Sequence, residues 1–147
     1  MKQAPRVLIL EADFYPHIAE ALRTGAARAL ERAGAEQVRL TVPGVLEIPA
    51  ALAMAVATGR FDAHVVLGCV IRGETGHYDI VAGESARAIM DLSVAQRLAL
   101  GNGILTVETE QQALVRADPA DKDKGGDAAR AALALVDLRS RLGEEAL

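Results

Sequence analysis

The chain has 147 residues, of which 51% are hydrophobic and 24% charged, with a net charge of −4. This is the balance of a globular protein, one domain spanning residues 1–147, and it lacks the basic stripe interleaved with aromatics that nucleic acid rewards. No apolar run nears the about 20 residues of a membrane helix, no signal-peptide pattern precedes the first strand, and the lone Cys69 excludes an internal disulfide and a cysteine-rich zinc site; the expectation is a cytoplasmic protein.

Arg6–Glu11 is a short continuous apolar run, the mark of a strand buried on both faces. A helix follows, with Pro16 in its first turn, apolar residues at helical spacing from Ile18 to Ala33, and Gly34 as a stop signal. Val38, Leu40 and Val42 alternate with polar residues as a second strand, which Pro43-Gly44 breaks. Pro49 opens an alanine-rich helix ending before Gly59. Ala63–Ile71 is a third strand interrupted by Gly68, Arg72–Gly76 a tight polar loop, and a long helix runs from His77 to about Leu98. Ile104–Val107 is the fourth strand, entered through Gly101-Asn102-Gly103, and Thr109 caps a short helix through Ala117. Asp118–Gly126 is turn-rich, and a last helix covers about Asp127 to Leu142. Regular alternation of strand and helix predicts a three-layer α/β/α sandwich on a four-stranded, mainly parallel, flavodoxin-like sheet. Ligands of such sheets collect at the carboxyl ends of the strands, so those loops carry the candidate chemistry.

Aromatics are only 3% of the chain and Trp is absent, so Phe14-Tyr15 after the first strand stands out. The pair reads either as a hydrophobic staple for the helix start or as a platform on which a flat heterocycle stacks. Glu47, among the apolar neighbours of the second loop, is either an N-terminal helix charge or an acceptor for ligand hydroxyls. In the third loop, Arg72-Gly73-Glu74-Thr75-Gly76-His77, two glycines and a Thr precede a helix start, an arrangement that suits a phosphate. His77 is either structural or a proton carrier, since a neutral imidazole near pH 7 suits that work. There is neither a Walker A loop nor a G-x-G-x-x-G fingerprint, and His17, His64, His77 and Cys69 have no metal-ligand spacing, so no metal is expected. Cys69 reads as a small core residue. Arg116, Lys124 and Asp127 form a solvated charge cluster, or join this site, or a neighbour's.

Phe14, the segment Gly44–Pro49 (GVLEIP), Leu67–Val81 (LGCVIRGETGHYDIV) and Gly103–Glu108 (GILTVE) together resemble the lumazine synthase family in order and spacing, over essentially the whole chain. The resemblance implies that 5-amino-6-(D-ribitylamino)uracil condenses with 3,4-dihydroxy-2-butanone 4-phosphate to give 6,7-dimethyl-8-ribityllumazine, without a cofactor. It implies that Phe14 stacks on the pyrimidine and that Val45, Leu46 and Glu47 line its ribityl chain. Cys69, Val70 and Ile71 would read the pyrimidine edge through their backbone. Glu74 and Thr75 would hold the phosphate by their amides, joined by Arg116, and His77 would shuttle the proton. Asn102, Lys124 and Asp127 fall where the family places further pocket residues, with Asn102 and Arg116 supplied by an adjacent subunit. Leu46, Asn102 and Tyr15 depart from the family pattern, which bears on affinity more than on reaction type. The family builds pentamers, some closed into icosahedral shells of sixty subunits. The short approach to the first strand and Pro119 favour the pentamer here. Two other readings compete: a non-catalytic flavin or lumazine carrier on the same fold, for which a phosphate site has no use, and a flavodoxin-like or receiver-type signalling domain, for which Glu11-Ala12-Asp13-Phe14 is a poor loop.

Overall fold

A computed structural model describes residues 3–143. Four strands, β1 (Arg6–Ala12), β2 (Glu36–Val42), β3 (Ala63–Ile71) and β4 (Leu100–Val107), form one sheet in the order β2-β1-β3-β4, and every neighbouring pair is parallel. The helices are α1 (Pro16–Arg32), α2 (Ile48–Ala57), α3 (His77–Ala95), α4 (Glu110–Ala117) and α5 (Lys124–Leu142), with a single 3₁₀ turn at Val45–Glu47 before α2.

Alternation along β1 sorts the core into two layers. Val7 and Ile9 face a cluster that includes Ile18, Leu22 and Leu30 of α1, Ala113 of α4 and Ala129 of α5. Leu8, Leu10 and Ala12 face the other cluster, with Ile48 and Leu52 of α2 and Val81 and Ile89 of α3. The three-layer sandwich expected from the alternation of elements is therefore the fold. α1 leaves β1 toward β2, whereas α2 and α3 carry the chain the other way, toward β3 and then β4. The direction of each step thus goes with the face its helix covers.

Where the elements begin and end, the structure corrects the sequence in four places. The strand β4 starts at Leu100 rather than Ile104, so Gly101, Asn102 and Gly103 are strand and not an entry loop. A side chain on Gly101 would drive into the backbone carbonyl of Ala128, so glycine lets α5 lie directly on β4. The helix α5 itself begins at Lys124, three residues early, because Asp123 caps it by accepting from Gly126 N at 3.2 Å. Gly125, in that first turn, packs against the backbone of Leu22 in α1. The third strand runs through Gly68 uninterrupted. Finally, α3 stops at Ala95 and not near Leu98, since Arg97 takes a left-handed turn (φ 54°) and Leu98 N closes back on Ser93 O at 2.9 Å. Gly34 (φ 72°) makes the matching closure after α1.

His64 is a buried polar residue on β3, with 3% of its surface accessible and no hydrogen-bond partner on either ring nitrogen. It packs edge-on against Phe61, and burial, reinforced by the charge of Arg139, pushes its pKa down. The unfolded chain therefore holds the proton more tightly than the folded one. The folded state keeps its full stability above the unfolded pKa of about 6.5 and loses it as pH falls below that value. Urea unfolding midpoints should thus drop more steeply between about pH 7 and pH 5 for the native protein than for His64→Leu. Parallel pH profiles for the two would show that His64 does not titrate against the fold.

Candidate active site

A slot of about 410 Å³ opens at the carboxyl ends of β1, β2 and β3. Its walls come from Phe14 and Tyr15 after β1, from Pro43 to Glu47 after β2, and from Cys69, Val70, Ile71, Gly73, Thr75 and His77 at the end of β3 and beyond. Phe14 stands out into it with 68% of its surface exposed, its ring edge-on to Tyr15 at 5.0 Å between centroids. An aromatic so open in an aromatic-poor chain presents a free face for a planar ligand. Tyr15 is half-buried, and burial followed by the nearby Cys69 and Glu110 pushes its phenol pKa up.

The second loop reaches the slot because of Gly68. A methyl group at that position would come within 2.9 Å of Val45 Cγ2 and 3.4 Å of Ala12 Cβ, so the bare glycine makes the seat in which Val45 is buried. With Val45 anchored, the 3₁₀ turn projects Leu46 and Glu47 outward, both exposed. The Glu47 carboxylate lies over Gly44 and has no hydrogen-bond partner among the described residues, so its oxygens are available.

The third loop leads into α3. Gly76 is its N-cap residue without a side-chain cap, and the hydroxyl of Thr75 accepts from His77 N at 3.3 Å. Asp79 N and Ile80 N donate to Gly76 O at 3.1 and 3.4 Å, so the amides without a partner among the described residues are Tyr78 N and those of the loop before it, at the positive end of a nineteen-residue helix. His77 is exposed on the rim of the slot, and Glu74 lies in the same loop without lining it.

The remaining sequence candidates lie elsewhere. Asn102, Arg116, Lys124 and Asp127 line a second hollow of about 440 Å³ along the outer edge of β4, which shares no residue with the first. Asn102 accepts from Ile104 N at 2.9 Å, and Lys124 sits 3.7 Å from the Asp127 carboxylate. Arg116 is half-buried, donates to Gln112 O at 3.1 Å, and has no carboxylate partner among the described residues. One protomer thus brings together the aromatic, the imidazole and the loop before α3, and holds the Arg116 guanidinium in a different place. Tyr78 and Val81 also line the slot, and sequence reasoning passed them over. Val81 lies four residues beyond His77, one helical turn along the same face, and that spacing could have found it. Among the described residues no group of three His, Cys, Asp or Glu could hold a metal ion, and no helix is long and apolar enough to cross a membrane.

Residues 4–140 match the family model described as 6,7-dimethyl-8-ribityllumazine synthase. A protein of that name from Methylobacterium radiotolerans is 63% identical over 134 residues, covering 91% of this chain and 82% of its own length. Another from Erythrobacter litoralis is 59% identical, covering 94% of this chain and 98% of its own. A third, from Bartonella tribocorum, is 56% identical over 98% of this chain and 96% of its own.

Cys69 is on the slot wall yet chemically quiet, because burial pushes its thiol up to about 12. At pH 8 roughly one thiol in ten thousand would be ionised, and the thiolate is the reactive form. Folded protein should therefore resist iodoacetamide for hours while the urea-unfolded chain reacts within minutes. Rapid alkylation of the folded protein would refute this.

Proposed function

The chain belongs to the 6,7-dimethyl-8-ribityllumazine synthase family and is a transferase carrying out that step of riboflavin biosynthesis; we propose that its site is completed between two protomers, the β3-end slot of one facing the β4-edge hollow of the next. The observation that carries this reading is the division of the candidate residues into two hollows with no lining residue in common. A keto-phosphate needs a cation beside its leaving group, and the slot has no Lys or Arg on its wall, whereas Arg116, without a carboxylate partner among the described residues, lines the other hollow.

In this reading Phe14 stacks on the pyrimidine, Val45, Leu46 and Glu47 receive the ribityl chain, and the backbone of Cys69, Val70 and Ile71 reads the ring edge. The amides of Glu74 and Thr75 hold the phosphate from one side and the neighbour's Arg116 from the other, with Asn102, Lys124 and Asp127 closing the wall. The ribitylamino-pyrimidine's amine attacks the ketone of the butanone phosphate and water leaves to give an imine. Phosphate is then eliminated, the enol tautomerises, and the ring closes with loss of a second water. His77, on the rim, takes and returns the protons. Holding two substrates in register contributes several kcal/mol to such a condensation, and one placed acid/base about 10²–10⁴-fold. The reaction is formulated without a cofactor.

The outer face of α3 supports assembly. Met90 and Val94 are 63% and 70% exposed, with Ile80 on the same helix also open. An apolar stripe of this kind is ordinarily covered, and a second copy covers it in this reading. The preferred assembly is a homopentamer rather than a 60-subunit shell, with Pro119 shaping the turn between α4 and α5. The protein works in the cytoplasm, with residues 1–147 acting as one domain.

His77→Ala should lower kcat by about a hundredfold or more with little change in KM. Arg116→Ala should raise the KM for the keto-phosphate roughly ten- to a hundredfold. If the two variants are dissociated, mixed in equal amounts and reassembled, about a quarter of the sites should regain both groups and activity should return. No recovery, or a monomer by light scattering, would disprove the shared site.

A further inference from the structure

The anion loop has little to hold it. Residues 73–76 are all exposed, and around Gly73 and Gly76 there is open space where a side chain would begin. Its position must therefore be set at its two ends. At one end stands Arg72, which neither the sequence reading nor the proposed chemistry uses.

Arg72 touches three segments. Its main-chain N–H donates to Val107 O at 2.9 Å, continuing the β3–β4 ladder past Ile71. Its Nε donates to the carboxylate of Glu108 at 3.0–3.1 Å, just beyond β4. The guanidinium carbon lies 4.2 Å from the centroid of the Tyr78 ring, and Nη1 is 3.6 Å from Asp79. Tyr78 and Asp79 belong to the first turn of α3, and Tyr78 is itself a wall of the slot. Glu108 is fixed in turn by its own amide, which donates to Gln112 of α4 at 2.8 Å. One planar group therefore spans the mouth of the loop, stacking on the helix that carries His77 and fastening it to the end of β4.

We propose that Arg72 is a positioning residue for the phosphate end of the site, acting through Glu108 and Tyr78 to set where the loop amides and the start of α3 stand. This rests on the reading that the amides of Glu74 and Thr75 receive the phosphate. The geometry separates the role from direct ligation, because the guanidinium is already engaged on its edge and on its face. A lysine keeps the charge but not the flat stack and fork, so it restores only part of the effect.

The test is steady-state kinetics and inorganic-phosphate inhibition on the assembled enzyme, for Arg72→Lys, Arg72→Gln, Glu108→Gln and the double variant Arg72→Gln/Glu108→Gln. Loss of an exposed ion pair together with a cation–π stack should raise the KM for the keto-phosphate about tenfold. The inhibition constant for phosphate should rise in step, with pyrimidine affinity within about twofold of the parent. Glu108→Gln should weaken phosphate binding in the same direction, and the double variant should be no worse than Arg72→Gln alone. Light scattering confirms assembly, and if Arg72→Gln does not assemble, Glu108→Gln decides the matter. Tighter phosphate binding in Glu108→Gln would mean that the freed guanidinium is a direct ligand, and the inference falls. Equal losses toward both substrates would mark a general structural role and overturn it too. Arg116→Ala separates the two readings. If it leaves phosphate affinity unchanged, the anion-site reading fails and takes this inference with it. If it weakens phosphate binding while the Arg72 and Glu108 variants do not, only the inference fails.

Discussion

The slot exists because β1 and β3 are neighbours whose outgoing connections leave in opposite directions. After β1 the chain steps outward to β2, and after β2 it returns past β1 to reach β3. Between two such strands the loops at the carboxyl ends diverge and leave a crevice, the place where open α/β sheets bind ligands. Phe14 comes from one side of the divergence, and Gly73, Thr75 and His77 from the other. The second loop would stand clear of both were it not for Gly68, whose missing side chain lets Val45 sink against the sheet. Topology thus opens the crevice, and a single absent methyl group decides how much of the β2 loop hangs over it.

Beside the slot a carboxylate is taken into the core. Glu11 is fully buried near the carboxyl end of β1, ion-paired with Arg39 on β2 and with Arg23 of α1 at 3.1 Å. A buried carboxylate needs such partners, and removing one of them ordinarily costs about 3–5 kcal/mol. The edge strand β2 is otherwise poorly covered, most of its residues being exposed. Its register on β1 therefore leans on the backbone ladder and on this charge pair. Since β1 and β2 end in the loops bearing Phe14 and Glu47, the same pair helps fix the distance between these two walls of the slot.

Most of the architecture was legible because continuous apolar runs and helical spacing report burial directly. The strands β1 and β3, the start of α1 at Pro16 and the start of α3 at His77 all follow from such signals. The misplaced starts of β4 and α5 share one cause. Gly101, Gly103, Gly125 and Gly126 read as turn residues, yet they lie inside β4 and α5 because a neighbour occupies the space of a side chain: the backbone of Ala128 and Leu22 at Gly101 and Gly125, the side chains of Leu67 and Asp123 at Gly103 and Gly126. Whether a glycine bends a chain or admits a neighbour depends on tertiary packing, which one sequence does not display. The end of α3 was invisible for a different reason, as a left-handed arginine is not a stop signal. For the candidate site, the loop residues were legible from their place at strand ends. Their separation into two hollows was not legible from the residues themselves, which left open whether Arg116, Lys124 and Asp127 join the same site, and only the family resemblance set Asn102 and Arg116 apart. The Arg72 bridge was equally hidden, because its partners Tyr78 and Glu108 lie six and thirty-six residues away along the chain.

Small residues on the α1, α4 and α5 side do more than fill space. An alanine- and glycine-lined contact brings α5 close to β4, and this sets Lys124 and Asp127 beside Arg116. In an open hollow that guanidinium works in water, where a unit charge pair at 4 Å is worth about 1 kcal/mol. In a partly dry site the same pair is worth about 4 kcal/mol, and the groups no longer reorganise around water as charge develops. On the shared-site reading, docking a second copy would cover Phe14 and dry the phosphate end in one event. Assembly and catalysis would then draw on the same buried surface, so weakening the contact would reduce the rate before it unfolded any protomer.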